Sequence, residues 1–114
     1  MMKFEKQMHN NDNIAFVVKS DRYIIGTVYL IASSVMLLKN KKVYELKIEI
    51  NKIFDTDSIR YSLYKDLRDF LETTNYFVIE SVSKEDNHLQ NVHNKLGFSR
   101  ADVETKQFVY YKIH

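Results

Sequence analysis

Cysteine and proline are both absent from this 114-residue sequence, and glycine occurs only twice. Without cysteine, the chain can form no disulfide, no thiolate nucleophile and no cysteine metal site. This absence fits a reducing compartment, and residues 1–6 lack the apolar core of a secretion signal. We therefore expect a cytoplasmic protein.

The sequence also lacks a hydrophobic run long enough to cross a membrane. Residues 23–38 form a charge-free, largely apolar stretch, but it is shorter than the ~20 residues that a spanning helix needs. Gly26 and the pair Ser33-Ser34 interrupt it further. We expect two buried strands or one long bent strand here, and no membrane partner.

A surplus of either charge sign is missing as well. The 17 lysines and arginines nearly balance the 15 acidic residues, and the basic residues are scattered among the acids. A nucleic-acid or anionic membrane surface normally requires a basic patch, so neither partner is expected. With 45% hydrophobic and 28% charged residues, a chain of this length predicts a single domain over residues 1–114.

Hydrophobic periodicity predicts an α/β chain with a mixed sheet. Apolar and charged side chains alternate over residues 43–50, as on a strand, and apolar residues recur every three or four positions over residues 58–71, as on a helix. Gly26, in the middle of a predicted strand, indicates a β-bulge or a close approach of another backbone. The first segment, residues 2–8, is a strand or a frayed arm. After it, the predicted order is strands 14–19, 23–32 and 43–50, helix 58–71, strand 76–82, helix 87–96, and strands 100–103 and 107–113.

The most specific local pattern is the short helix at residues 87–96, which has a marked beginning and end. Asp86 or Asn87 can accept hydrogen bonds from the first backbone N–H groups of the helix. Three apolar side chains fall on one face, and Gly97 supplies the left-handed residue that ends the helix. Because a strand is predicted on either side, the chain closes with a β–α–β unit.

This segment resembles the GNAT superfamily of acyl-CoA-dependent N-acetyltransferases. The run Asn94-Lys95-Leu96-Gly97-Phe98 is similar to the Tyr-Glu-Lys-Leu-Gly-Phe signature near the end of those domains, with an Asp-Asn pair upstream of it. The order of predicted elements resembles that fold from about residue 13 to the C-terminus. The resemblance implies a twisted central sheet with helices packed on it. It also implies that two helices are missing between the first and second strands, where they usually form one wall of the acceptor site.

In a GNAT domain, the loop before the long helix holds the pyrophosphate of acetyl-CoA on backbone N–H groups. Residues 55–60 match the family's loop, Gln/Arg-x-x-Gly-x-Gly/Ala, but Ser58 and Arg60 replace the two glycines. The resemblance assigns cofactor contacts to Ser58, Ile59 and Arg60, and to Asn87 in the second helix.

Two carboxylates lie in the same loop, where a polyanion would approach. Asp55 and Asp57 should repel a pyrophosphate, so we expect weak binding of acetyl-CoA or none. The alternative interpretation of the loop is a run of helix-capping residues, with the Asp side chains used as caps.

Acyl transfer also needs a general base and a proton donor. The resemblance implies that Glu45 is the base, although Glu45, Lys47 and Glu49 could simply form the charged outer face of a half-buried strand. His93 occupies the position of the family's tyrosine proton donor, and imidazole can donate a proton near neutral pH; the alternative is a residue at the boundary of the helix's apolar face. Because His88 and His93 are five residues apart and share no helix face, no metal site is predicted.

Three functional hypotheses follow. The first is a GNAT-fold protein whose acetyl-CoA site is degraded and which acts by binding a protein partner; its oligomeric state is open. The alternative is an active N-acetyltransferase that modifies a protein lysine, an N-terminus or a small molecule, with acetyl-CoA as cofactor only in this case. The third is an RNA-binding sheet that displays Phe108, Tyr110 and Tyr64, although the glycines of an RNP-type motif are absent.

Overall fold

The computed structural model describes residues 1–10, 12–33 and 42–114, which form one seven-stranded sheet and two α-helices. The predicted order of elements is confirmed, and each boundary lies within one residue of its predicted place. Residues 34–38 of the apolar stretch lie outside the described part of the chain. The elements are β1 (Lys3–His9), β2 (Asn13–Ser20), β3 (Tyr23–Ala32), β4 (Val43–Ile50), a 3-10 turn (Lys52–Phe54), α1 (Asp57–Leu71), β5 (Phe77–Ser83), α2 (Asn87–Lys95), β6 (Ser99–Glu104) and β7 (Phe108–Lys112).

The sheet is mixed, and its strands follow the order β1-β2-β3-β4-β5-β7-β6. All neighbouring strands are antiparallel except β4 and β5, which are parallel and are joined through α1. Only residues 10–12 connect β1 to β2, so no helix pair fits between them. The predicted mixed sheet and the predicted loss of the two helices are therefore both confirmed.

Gly26 accounts for an irregularity in the middle of β3. The register with β2 shifts between the pairs Val18–Gly26 and Lys19–Ile24, which leaves one extra residue in β3. A Cβ atom built on Gly26 would lie 2.1 Å from the backbone oxygen of Glu49 on β4. The bulge and the close backbone approach expected at Gly26 thus occur together.

Both helices pack on the same face of the sheet. The main core cluster joins the inward side chains of α1 and α2 to one face of β2, β3, β4, β5 and β7. Leu63 and Leu67 are fully buried, as their helical spacing predicts. On β4 the expected alternation also holds, because Tyr44 and Leu46 lie in this core whereas Lys47 and Glu49 are exposed.

The opposite face of the sheet carries no helix in the described part of the chain. Val43, Ile79 and Tyr110 form a smaller apolar cluster there. The RNA-binding hypothesis needs Tyr64, Tyr110 and Phe108 on one exposed surface, but Tyr64 and Tyr110 are buried on opposite faces. The exposed aromatic surface that the RNA-binding hypothesis predicted is therefore wrong. No helix within residues 1–10, 12–33 and 42–114 is long and apolar enough to span a membrane.

Candidate active site at a cleft between two parallel strands

A cleft opens where the two parallel strands of the sheet separate. The pairing of β4 with β5 covers only three positions and ends at Glu45 and Ile79. Both strands continue beyond that point, to Ile50 and Ser83, without pairing to each other. In sheets with parallel strands, ligands bind outside the carboxyl ends of the strands, where the strand order reverses. This cleft therefore positions the candidate site.

Both helices begin at the open end of the cleft and run side by side. Near their N-termini, Nε2 of His88 on α2 lies 3.2 Å from Oδ1 of Asp57 on α1. Near their C-termini, Arg68 on α1 donates a hydrogen bond of 2.8 Å to the backbone oxygen of Leu96. The helices are therefore parallel, and their positive dipole ends lie together at the carboxyl edge of β4 and β5. Such an arrangement favours an anionic ligand.

The first turn of α1 keeps two backbone N–H groups available. Thr56 caps the helix, because its Oγ1 accepts a hydrogen bond of 3.2 Å from the backbone N–H of Ile59. The N–H groups of Asp57 and Ser58 have no hydrogen-bond partner among the described residues. An anion that approaches this turn would thus meet two unpaired donors.

The prediction that Asp side chains cap α1 is wrong. Asp55 instead accepts two hydrogen bonds, of 3.0 and 3.1 Å, from Nη2 of Arg60. Asp57 faces His88, and its side chain is 87% exposed, so water screens its charge. An Asp cap does occur on α2, where Oδ1 of Asp86 accepts from the N–H of Leu89 at 3.0 Å.

These pairings change the electrostatic argument about the loop. The expected repulsion assumed two carboxylates without partners, but Arg60 compensates Asp55 directly. What remains is one exposed carboxylate beside a histidine, at the positive ends of two helices. The N-terminal edge of α1 therefore repels phosphate less strongly than the sequence alone predicted.

Glu45 lies at the point where β4 and β5 separate, on the sheet face away from the helices. Its Oε1 accepts a hydrogen bond of 2.8 Å from Oγ of Ser81, which joins the two strands just beyond their last backbone pair. The Glu45 side chain is 22% exposed, and Nζ of Lys47 lies 3.8 Å from Oε1. A partly exposed carboxylate at the base of the cleft is well placed to accept a proton.

A buried polar network lies on the other face, beneath the two helices. The hydroxyl of Tyr64 donates to both oxygens of Glu80, at 2.9 and 2.8 Å, and Nε2 of His93 lies 2.6 Å from Oε1. The rings of Tyr64, Phe98 and Tyr111 pack edge-on against the imidazole. Because Nδ1 of His93 has no partner among the described residues, we assign the hydrogen to Nε2, where it can be donated. Burial, followed by the charge of Glu80 and the hydrogen bond to it, raises the pKa of Tyr64 well above 10.0.

Comparison with known proteins rests on structure. No family model matches the sequence, and no curated protein matches it significantly. A chimera of the spermidine N-acetyltransferase SpeG from Vibrio cholerae and hSSAT superposes with a TM-score of 0.66 at 19% identity, over 91% of this chain and 68% of that chain. The N-acetyltransferase PseH from Campylobacter jejuni gives a TM-score of 0.66 at 17% identity, over 90% of this chain and 68% of that chain.

The chain has a GNAT-like fold. The Vibrio cholerae spermidine N-acetyltransferase has been solved with CoA and spermine, and it superposes with a TM-score of 0.65 at 19% identity, over 91% of this chain and 66% of that chain. PseH has been solved with acetyl coenzyme A. At these identities the likeness concerns the fold alone.

Within this GNAT-like fold, the residues expected to bind the cofactor come together and those expected to catalyse do not. Ser58, Ile59 and Arg60 begin α1, and Asn87 begins α2, at the same edge of the sheet. They remain predicted contacts. Within the described residues no group of three or more His, Asp or Glu could hold a metal.

The two predicted catalytic residues lie on opposite faces of the sheet. Glu45 is accessible, whereas His93 has no solvent exposure at all. The interpretation of His93 as a residue at the boundary of the apolar face is wrong, because its ring is fully buried. Its assignment as the proton donor stays a prediction. Sequence reasoning missed its partner, Glu80. The available signal was a carboxylate at the inward position between Val78 and Val82 on a strand that is otherwise apolar at those positions.

Proposed function

We propose that this protein binds an acyl-CoA at the edge where α1 and α2 begin, and transfers the acyl group to an amine. The observation that carries the proposal is the pairing of two parallel helix N-termini at the open end of the β4–β5 cleft. Structural neighbours with the same fold are N-acetyltransferases, and two of them were solved with CoA or acetyl coenzyme A.

The first turn of α1 fits a pyrophosphate in part. The free N–H groups of Asp57 and Ser58 are the donors that such an anion needs, and two helix dipoles add to their attraction. Arg60 is half-buried and already holds Asp55, so its charge offsets that carboxylate. The side chains of Ser58 and Arg60, which replace glycines, narrow the approach of the ligand to the backbone.

The chemistry then rests on Glu45. The thioester supplies the acyl carbon, and the amine nitrogen must lose a proton as its bond to that carbon forms. Glu45 would accept this proton, because its carboxylate is accessible and is oriented by Ser81 at the base of the cleft. As the C–N bond forms, the C–S bond of the thioester breaks and CoA leaves as a thiolate, which water can protonate; the buried His93 is therefore not required as the donor.

Calorimetry with acetyl-CoA tests the binding step. We expect measurable binding by the wild type, and tighter binding by Asp57→Asn, which removes the exposed carboxylate but keeps the Thr56 cap. Asp102→Asn, at an exposed position on β6, is the matched control and should leave the affinity unchanged. If no heat of binding is measured up to millimolar acetyl-CoA, the proposal is refuted.

Release of free CoA tests the transfer step. Because the protein has no cysteine, a thiol reagent in the assay reacts only with CoA. With spermidine or a lysine peptide as acceptor, Glu45→Gln should lower kcat by roughly 10²–10⁴-fold while acetyl-CoA affinity persists. A Glu45→Gln variant with wild-type turnover would assign the base elsewhere.

A second candidate function is recognition of a protein partner by a GNAT-like domain with a degraded cofactor site. The observation in its favour is the face of the sheet opposite the helices, where Ile31 is 39% exposed and the described chain places no helix. Lys19 and Lys47 lie on this face and can be cross-linked to a bound protein. The partner proposal predicts such cross-links in the native host, and predicts their loss in Ile31→Asp but not in Asp57→Asn, which lies on the helix side of the sheet.

A further inference from the structure

One carboxylate ties both helices to the sheet. Glu80 on β5 accepts hydrogen bonds from Tyr64 of α1 and contacts Nε2 of His93 of α2 at 2.6 Å. Glu80 is also the first residue of β5 beyond its last backbone pair with β4, at Ile79. The contact that fixes the helices therefore lies at the point where the cleft begins.

The other polar side-chain contacts between the helices are weaker constraints. The pair His88–Asp57 is exposed, at 54% and 87%, and water screens it. The hydrogen bond from Arg68 to Leu96 is only partly buried and lies at the far, C-terminal ends of the helices. Tyr64 and His93, by contrast, are 1% and 0% exposed, and hydrogen bonds in such surroundings are electrostatically stronger and less tolerant of a lost partner.

We propose that Glu80 is a positioning residue which sets the separation of the N-termini of α1 and α2, and thereby the affinity of that edge for the pyrophosphate of an acyl-CoA. The inference rests on the proposed function for its ligand. Glu80 touches no ligand in this arrangement, because Tyr64 and His93 enclose its carboxylate. It acts through the two helices that it holds.

The buried network lies a short distance from the N-termini of both helices. Tyr64 is seven residues after Asp57, and His93 is six residues after Asn87. At about 1.5 Å per residue, the network is about 10 Å from either helix N-terminus. A helix is stiff over this distance, so a displacement at Tyr64 or His93 is passed on to the first turn. Misplacement of binding groups by about 1 Å can cost roughly 10²-fold in function.

Three variants separate positioning from general stability. Glu80→Gln keeps the length of the side chain, and its amide can donate to the Tyr64 oxygen while its carbonyl accepts from His93. Glu80→Ala removes both contacts, and Tyr64→Phe removes only the one to α1. Val28→Ala, at a fully buried site on β3, supplies a stability loss without a change to the network.

The first readout is independent of any ligand. In a background of Asp57→Cys with His88→Cys, the only two thiols of the chain report the separation of the helix N-termini through their rate of disulfide formation. We expect Glu80→Ala to slow this rate about tenfold or more, Tyr64→Phe to slow it less, and Glu80→Gln and Val28→Ala to leave it within about threefold. An unchanged rate in Glu80→Ala and Tyr64→Phe would overturn the inference.

The second readout is acetyl-CoA itself, in the chain without engineered cysteines. Glu80→Ala should weaken its binding about tenfold or more relative to Val28→Ala, raise the KM for acetyl-CoA and leave the KM for the amine unchanged. If Glu80→Ala does not fold, Tyr64→Phe gives the same comparison. If affinity follows stability equally in the Glu80 and Val28 variants, positioning is refuted. If the wild type binds no acetyl-CoA, the proposed function fails, while disulfide formation still decides the role of Glu80.

Discussion

Removal of the Tyr64 hydroxyl tests the buried network directly. Tyr64→Phe keeps the ring against His93 and the surrounding core but deprives the Glu80 carboxylate of a donor that reaches both its oxygens. Hydrogen bonds to charged groups contribute about 1.5–3 kcal/mol, and a buried acceptor left without its donor gains no compensation from water. We expect the free energy of unfolding at pH 7 to fall by that amount.

Urea denaturation measures the change. With a slope of about 1.5 kcal/mol/M for a chain of this size, the midpoint should fall by about 1–2 M. Tyr61→Phe, an exposed position on the same helix, should change stability by less than about 0.5 kcal/mol. In a double-mutant cycle, Tyr64→Phe and Glu80→Ala should couple by about 1 kcal/mol or more. A loss below about 0.5 kcal/mol in Tyr64→Phe, or additive effects in the cycle, would refute the reasoning.

Three further perturbations have expected outcomes. Leu67→Ala removes a fully buried side chain of α1 and should cost about 2–5 kcal/mol in chemical denaturation; a cost below about 1 kcal/mol would contradict its place in the core. Because the folded pKa of Tyr64 is raised above 10.0, only the unfolded chain ionises there at first, so stability present below about pH 10 is lost as the pH rises toward the folded pKa. Denaturation at rising pH should therefore weaken wild type more than Tyr64→Phe, and equal losses would assign the alkaline transition to other groups. Gly26→Ala places a Cβ 2.1 Å from the Glu49 oxygen and should cost more than about 2 kcal/mol of stability. Gly97→Ala meets open space but a φ of 77°, and should cost about 1 kcal/mol. If thermal unfolding ranks the two variants in the opposite order, the close approach of β3 and β4 is contradicted.

Local periodicity was sufficient to predict the elements of the fold. The alternation on β4 and the helical spacing of Leu63 and Leu67 depend on neighbours in sequence, and the structure confirms both. Gly26 was informative for a related reason, since a glycine inside a strand has few roles other than a bulge or a close backbone contact. The resemblance to the GNAT signature predicted that a helix pair of that fold is absent here, which local patterns alone do not reveal.

The site was harder to predict for two reasons. Some of its side chains pair with residues that are distant in sequence, and elsewhere neighbouring residues compete for the same hydrogen bond. His93 looked like a boundary residue until Glu80, thirteen positions earlier, gave it a buried partner. Asp55 looked like an unpaired charge or a cap, but Arg60 on the next turn binds it and Thr56 takes the capping role. The folded backbone decides which charged group a side chain meets and which of two neighbouring residues has the geometry to cap the helix.

The short pairing between β4 and β5 has a consequence for how the polypeptide could be divided. Strands β1 to β4 lie within residues 3–50, each paired with the next, and the elements from α1 to β7 lie within residues 57–112. In the described chain, backbone pairing joins these halves only from Val43 to Glu45 and from Phe77 to Ile79. Fragments 1–54 and 55–114 would therefore reassemble mainly through the apolar face of α1, and the cleft would lie across their junction. A molecule bound there would join two separate polypeptides, which is the design of a split reporter.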